Sequence, residues 1–405
     1  MRIAVVTQSR DRVGGVEAYL QAVLPALAAR HAVAFASAST ATTERGALVL
    51  PSSVSTIAID PSHADPLHAV RAWHPDVVFA HGLDDAAIEA DLLGVAPSVM
   101  VQHTYTGTCI SSSKTMAWPA PVQCERSFGA GCLALYFPRR CGGANPITMV
   151  RLYRTQSARL RTLQRASAVV TLSHHMAEEM RRNGVSTDRV HVVPPFVTPG
   201  IEPVSQARLD GTCKLLYLGR LERLKGVKYL LEALAVVSGV SKRPLRLIVA
   251  GDGAEREALQ QQAAEIVRSH PQIQIQFAGW QGDEGRARLF AEADALVVPS
   301  IWPEPFGLVG LEAAAAGVPA VAFATGGIPE WLHDGENGCL APPRGASPAL
   351  LAQAILRCVG TPDELRRLSD GARRSSAAWT VSRHVADLDA LFERLVPRAA
   401  RSRAS

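Results

Sequence analysis

Short apolar runs alternate with stretches of helical periodicity along almost the whole chain, and this alternation restricts the fold more than any other feature. Arg2–Thr7 is such a run. A polar loop and Gly14-Gly15 follow it, and then Val16, Tyr19, Leu20, Val23, Leu24 and Leu27 recur at the spacing of one helix face. Val77–Ala80 precedes a helical stretch from Asp84 to Leu93. Ser98–Gln102, Ala168–Leu172 and Val190–Val193 are further runs, the last two separated by a helical stretch from His174 to Asn183. A second series follows: Lys214–Leu218, Leu245–Ala250, Ile273–Phe277, Ala295–Val298 and Pro319–Ala322, with helical stretches between them. Strands that alternate with helices build a parallel sheet covered on both faces. The sequence therefore predicts an α/β protein with two parallel sheets.

The two series are joined by Pro194-Pro195-Phe196-Val197-Thr198-Pro199-Gly200-Ile201-Glu202-Pro203, where four prolines in ten residues make a stiff, extended linker. A length of 405 residues suits two domains. The boundary is expected there: an N-terminal domain over 1–198, a second over 199–380, and an amphipathic helix, Val381–Leu395, opening a final segment, 381–405. Residues 104–148 break the pattern. They lack periodicity and hold Cys109, Cys124, Cys132 and Cys141 with Trp118, Phe128, Tyr136 and Phe137. A loop this long in a compact α/β domain is functional or separately fastened.

Hydrophobic residues at 47% and charged residues at 20% argue for a globular chain and against extended disorder. The net charge of +5 suits small anionic substrates or a membrane surface. No stripe of basic residues with interleaved aromatics supports nucleic acid. No apolar run approaches a membrane-spanning length, and Ile3–Val6 is too short for a secretion signal. A cytoplasmic protein, with its cysteines reduced, is expected.

The densest motif is Glu304-Pro305-Phe306-Gly307-Leu308-Val309-Gly310-Leu311-Glu312, two carboxylates with seven residues between them. It follows a strand ending in Val298-Pro299-Ser300, and parallel sheets bind ligands at the carboxyl ends of their strands. Amides at Phe306, Gly307 and Leu308 open the next helix and can donate to phosphate or sugar oxygens. Ala315-Ala316-Gly317-Val318-Pro319, Gly326-Gly327-Ile328-Pro329-Glu330 and Asp334-Gly335-Glu336-Asn337-Gly338 come after it. Upstream lies Leu218-Gly219-Arg220-Leu221-Glu222-Arg223-Leu224-Lys225-Gly226, in which Lys225 is one of only five lysines among 42 basic residues. It is not the chain's default cation.

In this order the blocks closely resemble the family 4 glycosyltransferases. The resemblance implies a GT-B fold, with two Rossmann-like domains facing a cleft and the last helix packed back on the first domain. It also implies retaining transfer of a hexosyl group from a nucleotide diphosphate sugar, with no metal and no cofactor beyond the donor. Arg220 and Lys225 stand where such enzymes grip the diphosphate; fixed cations there stabilise the charge that develops on the leaving group. Glu304 takes the place of the donor-sugar contact and Glu312 that of the acceptor for ribose hydroxyls. Gly251-Asp252-Gly253 corresponds to the loop near the base, and Gly14-Gly15 to the N-terminal glycine loop beside the donor phosphate. His103, after Ser98–Gln102, corresponds to a histidine that faces the sugar; the acid that often follows it is Thr104 here.

The implied partners are a UDP- or GDP-linked sugar and a glycan or lipid-linked saccharide acceptor. Arg151, Arg154, Arg159, Arg161 and Arg165 share a stretch without an acid; this reads as a solvated helix face, and alternatively as a patch drawn to an anionic membrane surface, in peripheral contact, or to a pyrophosphate-linked acceptor. The four cysteines of the insert lack a close pair, so zinc and plain thiols both stand. Two other functions share the fold: a sugar-nucleotide epimerase, for which first-domain acid/base carboxylates are missing, and a non-catalytic sugar-nucleotide-binding scaffold.

Overall fold

A computed structural model describes residues 1–11, 15–39, 47–197, 211–241, 243–343 and 346–396. Contacts divide the chain into two compact units, Met1–Ala120 with Cys124–Thr198 and Thr380–Ser405, and Pro121–Gln123 with Pro199–Trp379.

The elements of the first unit begin with β1 (Arg2–Ser9), α1 (Gly15–Ala28), β2 (Ala32–Ser39), β3 (Ser55–Ala58), α2 (His68–Ala72), β4 (Val77–Ala80), α3 (Ala86–Asp91) and β5 (Ser98–Gln102). Two-residue strands β6 (Thr115–Met116) and β7 (Val122–Gln123), the latter grouped with the second unit, precede α4 (Gly131–Tyr136), α5 (Pro146–Arg165), β8 (Ala168–Thr171), α6 (His174–Arg182) and β9 (Val190–Val192). Seven strands form one parallel sheet in the order β3-β2-β1-β4-β5-β8-β9. The order reverses between β1 and β4. Open α/β sheets take ligands beyond the carboxyl ends of the strands at such a reversal.

The second unit repeats the plan. It runs β10 (Cys213–Leu218), α7 (Val227–Val240), β11 (Leu245–Ala250), α8 (Arg256–Ser269), β12 (Ile273–Gly279), α9 (Asp283–Glu292) and β13 (Ala295–Val298). It continues with α10 (Leu308–Ala316), β14 (Ala320–Phe323), β15 (Gly338–Ala341), α11 (Pro348–Val359) and α12 (Pro362–Ser376). Its sheet is parallel in the order β12-β11-β10-β13-β14-β15, with its reversal between β10 and β13.

Strands such as Val77–Ala80, Ala168–Thr171 and Ala295–Val298 are buried at every position. They are continuous apolar runs because helices cover both faces of the sheet. A last helix, α13 (Val381–Leu395), packs on the first unit. Val385, Leu388, Leu391 and Phe392 enter the core with Ile3, Val5, Phe35 and Phe79, and the Phe392 and Phe79 rings meet edge to face at 5.4 Å. Asp389 on α13 binds Arg30 at 2.9 Å and His31 at 2.8 Å.

The insert is more ordered than its sequence suggests. Lys114 is buried and forms an ion pair with buried Glu179 of α6. Asn183 bonds the same carboxylate at 2.7 Å and receives the Phe128 amide at 2.7 Å. Polar contacts thus hold the segment in place of apolar periodicity. Of the insert's aromatic residues Tyr136 is fully buried, whereas Trp118 and Phe137 are exposed. Among the described residues no helix is long and apolar enough to cross a membrane.

Candidate functional site

The strand ends at the second unit's reversal carry the densest chemistry. β10 and β13 are neighbours, so the loop after each opens at the same edge of the sheet. The loop after β10 delivers Lys225 and that after β13 delivers Glu304. The Lys225 ammonium donates to both Glu304 oxygens, at 2.8 Å and 3.0 Å, and lies 4.6 Å from the centre of the Trp302 ring. Side chains 19% and 9% exposed make this a largely desolvated pair.

Two close approaches fix the pair. Gly226 has φ of 73°, and a Cβ there would stand 1.9 Å from the Pro299 carbonyl oxygen. Only glycine lets the β10 loop lie against the β13 loop at this point. On the other side, the Gly327 amide donates to the Glu304 carbonyl at 2.7 Å, and the Trp331 indole donates to the Phe306 carbonyl at 2.7 Å.

The Phe306 ring is buried and meets Trp379 at 5.3 Å, edge to face. Only its backbone is available to a ligand. Gly307 starts α10 in the left-handed region, with φ of 101° and no side-chain cap. Among the described residues, the Leu308 and Val309 amides meet no acceptor. They present partial positive charge at the helix start.

Glu312 lies about one turn into α10 and is buried. Its carboxylate is bound by the Arg286 guanidinium, from α9. Arg286 was not evident from the sequence, because α9 carries no motif. Arg220 stands apart: it is exposed and pairs with Glu222 at 2.7 Å. Gly251 follows β11 with φ of 142°, and a Cβ there would stand 1.8 Å from the Gly219 carbonyl oxygen. The loops after β10 and β11 are therefore stacked backbone on backbone. The Gly253 amide is bonded by the Asp252 side chain at 2.8 Å.

In the first unit, Gly15 opens α1, and Gly14 lies outside the described residues. His103, at the end of β5, belongs to a cluster. Its Nε2 shares a hydrogen bond of 2.9 Å with Nδ1 of His81, at the end of β4, and the two rings stack. An imidazole, not an acid, thus orients His103. Tyr19 of α1 packs on both rings, at 5.4 Å from His81 and 5.7 Å from His103.

The Tyr19 hydroxyl is 2.7 Å from Nε2 of His384 on α13, and Nδ1 of His384 is 2.7 Å from the Pro194 carbonyl oxygen. A carbonyl only accepts, so Nδ1 of His384 carries the proton and Tyr19 donates to Nε2. Burial holds His103 and His384 down at about 4, His103 further lowered by the charge of His384, and burial puts His81 well below the ordinary histidine value. All three are neutral at pH 7. His81 had a readable signal, the same strand-end position as His103; nothing in the sequence marked Tyr19 or His384.

In the insert, Cys109, Cys124, Cys132 and Cys141 are free thiols. Burial raises Cys132, and pushes Cys141 up to about 11; the neighbouring thiols of Cys109 and Cys124 add to both. Among the described residues, no group of three or more His, Cys, Asp or Glu side chains is placed to hold a metal ion.

Two parallel sheets, each with a reversal at its ligand-facing edge, place the chain in the GT-B class. Sucrose-phosphate synthase from Thermosynechococcus elongatus superposes with a TM-score of 0.72 at 21% identity, covering 97% of this chain and 98% of that one. HepE from Anabaena, solved with UDP and glucose, gives 0.69 at 20% identity over 96% and 98%. The chain belongs to the family 4 glycosyltransferases: residues 13–200 match the Glycosyltransferase Family 4 model and residues 202–375 the model for glycosyl transferases group 1. Among curated relatives, D-inositol 3-phosphate glycosyltransferase of Streptomyces coelicolor is 34% identical over 48% of this chain and 45% of its own length. Glycogen synthase of Mycobacterium tuberculosis is 29% identical over 75% and 65%. The match thus spans less than two thirds of either relative's length.

Proposed function

We propose that this protein is a retaining hexosyltransferase that moves a sugar from a nucleotide diphosphate sugar to a glycan or lipid-linked saccharide. The observation that carries the reading is the Lys225–Glu304 pair beside the uncapped start of α10. It sets a cation, a carboxylate and free amides at one strand-end edge. In the transfer, an acceptor hydroxyl oxygen bonds to the anomeric carbon on the face the diphosphate leaves. The carbon–oxygen bond to phosphate breaks, its electron pair stays on the diphosphate, and a phosphate oxygen takes the acceptor's proton. Lys225 and the α10 amides stabilise the charge that develops. Arg220 joins them at little cost, because its exposed pair with Glu222 is worth about 0–1 kcal/mol. Glu304 orients the sugar hydroxyls and Glu312, held by Arg286, the ribose. Neutral His103, aligned by His81, contacts the sugar. The insert starts directly after His103, which favours a role in shaping the acceptor side.

UDP-linked donors are favoured over GDP-linked ones by the UDP and UDP-glucose complexes of HepE, a protein of the same fold. A thermal-shift panel of UDP- and GDP-sugars tests the reading. A true donor at a hundred times its Kd stabilises by about 2.7 kcal/mol. If no nucleotide sugar moves the transition, the reading fails.

A further inference from the structure

The ring of Tyr19 lies against four others in the first unit. Between centroids it is 5.4 Å from His81, 5.7 Å from His103, 5.6 Å from Phe196 and 5.2 Å from His384. These rings come from four separate parts of the chain: the end of β4, the end of β5, the linker after β9, and α13. Tyr19, His81, Phe196 and His384 are buried, and His103 is partly exposed.

The cluster holds two sets of hydrogen bonds, and they meet only at the Tyr19 ring. The first joins His81 Nδ1 to His103 Nε2. Among the described residues it goes no further: Nε2 of His81 has no partner, and His103 makes no other side-chain hydrogen bond. One bond leaves an imidazole free to swing about it. The direction in which His103 faces is therefore set by the rings it packs on, His81 and Tyr19. The second set runs from the Tyr19 hydroxyl to His384 Nε2, and from His384 Nδ1 to the Pro194 carbonyl. Burial raises the Tyr19 phenol, so it keeps its proton and donates. Phe196 stacks on Tyr19 and meets His384 edge on at 5.1 Å. Tyr19 cannot tilt away from the imidazoles without breaking a buried bond that then stays unmade.

From this arrangement we propose that Tyr19 is a positioning residue for His103, locked by His384 and, through it, by the linker carbonyl of Pro194. The inference rests on the reading of His103 as the donor-sugar contact. Apolar side chains at positions 19 and 384 would serve packing alone. A buried hydroxyl–imidazole bond adds no apolar area; it fixes the direction of a ring.

Calorimetric titration tests it on the whole protein. The ligands are UDP and the nucleotide sugar that shifts the wild-type melting transition most. Spectra of the protein labelled with 15N at histidine are recorded alongside. Tyr19→Phe, Tyr19→Leu and His384→Leu should bind the nucleotide sugar about three- to tenfold more weakly, the worth of one neutral hydrogen bond. They should keep wild-type affinity for UDP, which the second unit holds in that reading, and should move the His103 nitrogen signals. His384→Gln places a side-chain oxygen near the site of Nε2, accepts from Tyr19, and should resemble the wild type in all three readouts. Should Tyr19→Leu fail to fold, Tyr19→Phe and the two His384 variants decide. Unmoved His103 signals with undiminished nucleotide-sugar affinity overturn the proposal. So does equal loss of UDP and nucleotide sugar, which marks a structural role only, or a His384→Gln variant as impaired as His384→Leu. If no nucleotide sugar binds the wild type, the function proposed above fails, and the His103 signals still decide the positioning.

Discussion

Replacing Lys225 by Met removes the ammonium and keeps most of the side chain's bulk. The change leaves the buried Glu304 carboxylate without its cation. A unit-charge pair at 2.8 Å is worth about 6 kcal/mol at an effective dielectric of about 20. Desolvation has already consumed part of that, and removing one partner of a buried pair costs about 3–5 kcal/mol. Both side chains keep some contact with water, so the lower end applies: Lys225→Met should destabilise the second unit by about 3 kcal/mol. Glu304→Gln should cost less, because the stranded lysine is the more exposed partner. Adding Glu304→Gln to Lys225→Met should restore about 2 kcal/mol, since the uncompensated carboxylate is then gone. Urea unfolding of the two single variants and the double variant gives all three values. Affinity for UDP, measured alongside, should fall in both variants that lack Lys225 and hold or rise in Glu304→Gln, where the ammonium is released to the diphosphate. A Lys225→Met variant within about 0.5 kcal/mol of wild type, with no coupling to Glu304, would refute the reasoning.

The histidine cluster makes stability depend on pH. His103 and His384 sit at about 4 in the folded chain and at about 6.5 when unfolded, so only the unfolded chain takes up protons between those values. Their contribution is complete above pH 6.5 and is lost as pH falls toward 4, at up to about 1.4 kcal/mol per pH unit per histidine. His384→Leu should flatten the slope measured by urea unfolding across that window; an unchanged slope would count against burial as its cause. In the insert, Lys114→Met strands Glu179 and should cost about 3–5 kcal/mol, read as faster proteolysis of the insert at a temperature where the wild type resists. Equal cleavage rates would show that the pair does not hold the segment.

The alternation of strands and helices was legible because parallel strands buried on both faces are written as unbroken apolar runs. Ala32–Ser39 escaped notice because alanine and serine fill six of its eight positions and leave little apolar signature, and Gly338–Ala341 because it opens on Gly-Cys and is only four residues long. The site was legible where a motif marks it. Lys225 and Glu304 are both readable, but their bond joins residues 79 apart, and only the adjacency of β10 and β13 brings them together. Tyr19 and His384 are 365 residues apart. No local pattern records such a contact, since each residue alone reads as a core aromatic or a surface histidine. The insert misled in the opposite direction: Lys114 looks like a solvated charge until its carboxylate partner appears from α6.

The return of α13 has a consequence for biogenesis. The core of the first unit is shared between residues near the N-terminus and Val385, Leu388, Leu391 and Phe392, which follow the whole of the second unit. A ribosome that adds about 5–20 residues per second therefore exposes the first sheet with one core face uncovered while the intervening unit is translated. The second unit, drawn almost wholly from one continuous stretch, can be finished first. The order of completion is the reverse of the order of synthesis, and a nascent chain halted before α13 should be a chaperone client with a folded second half.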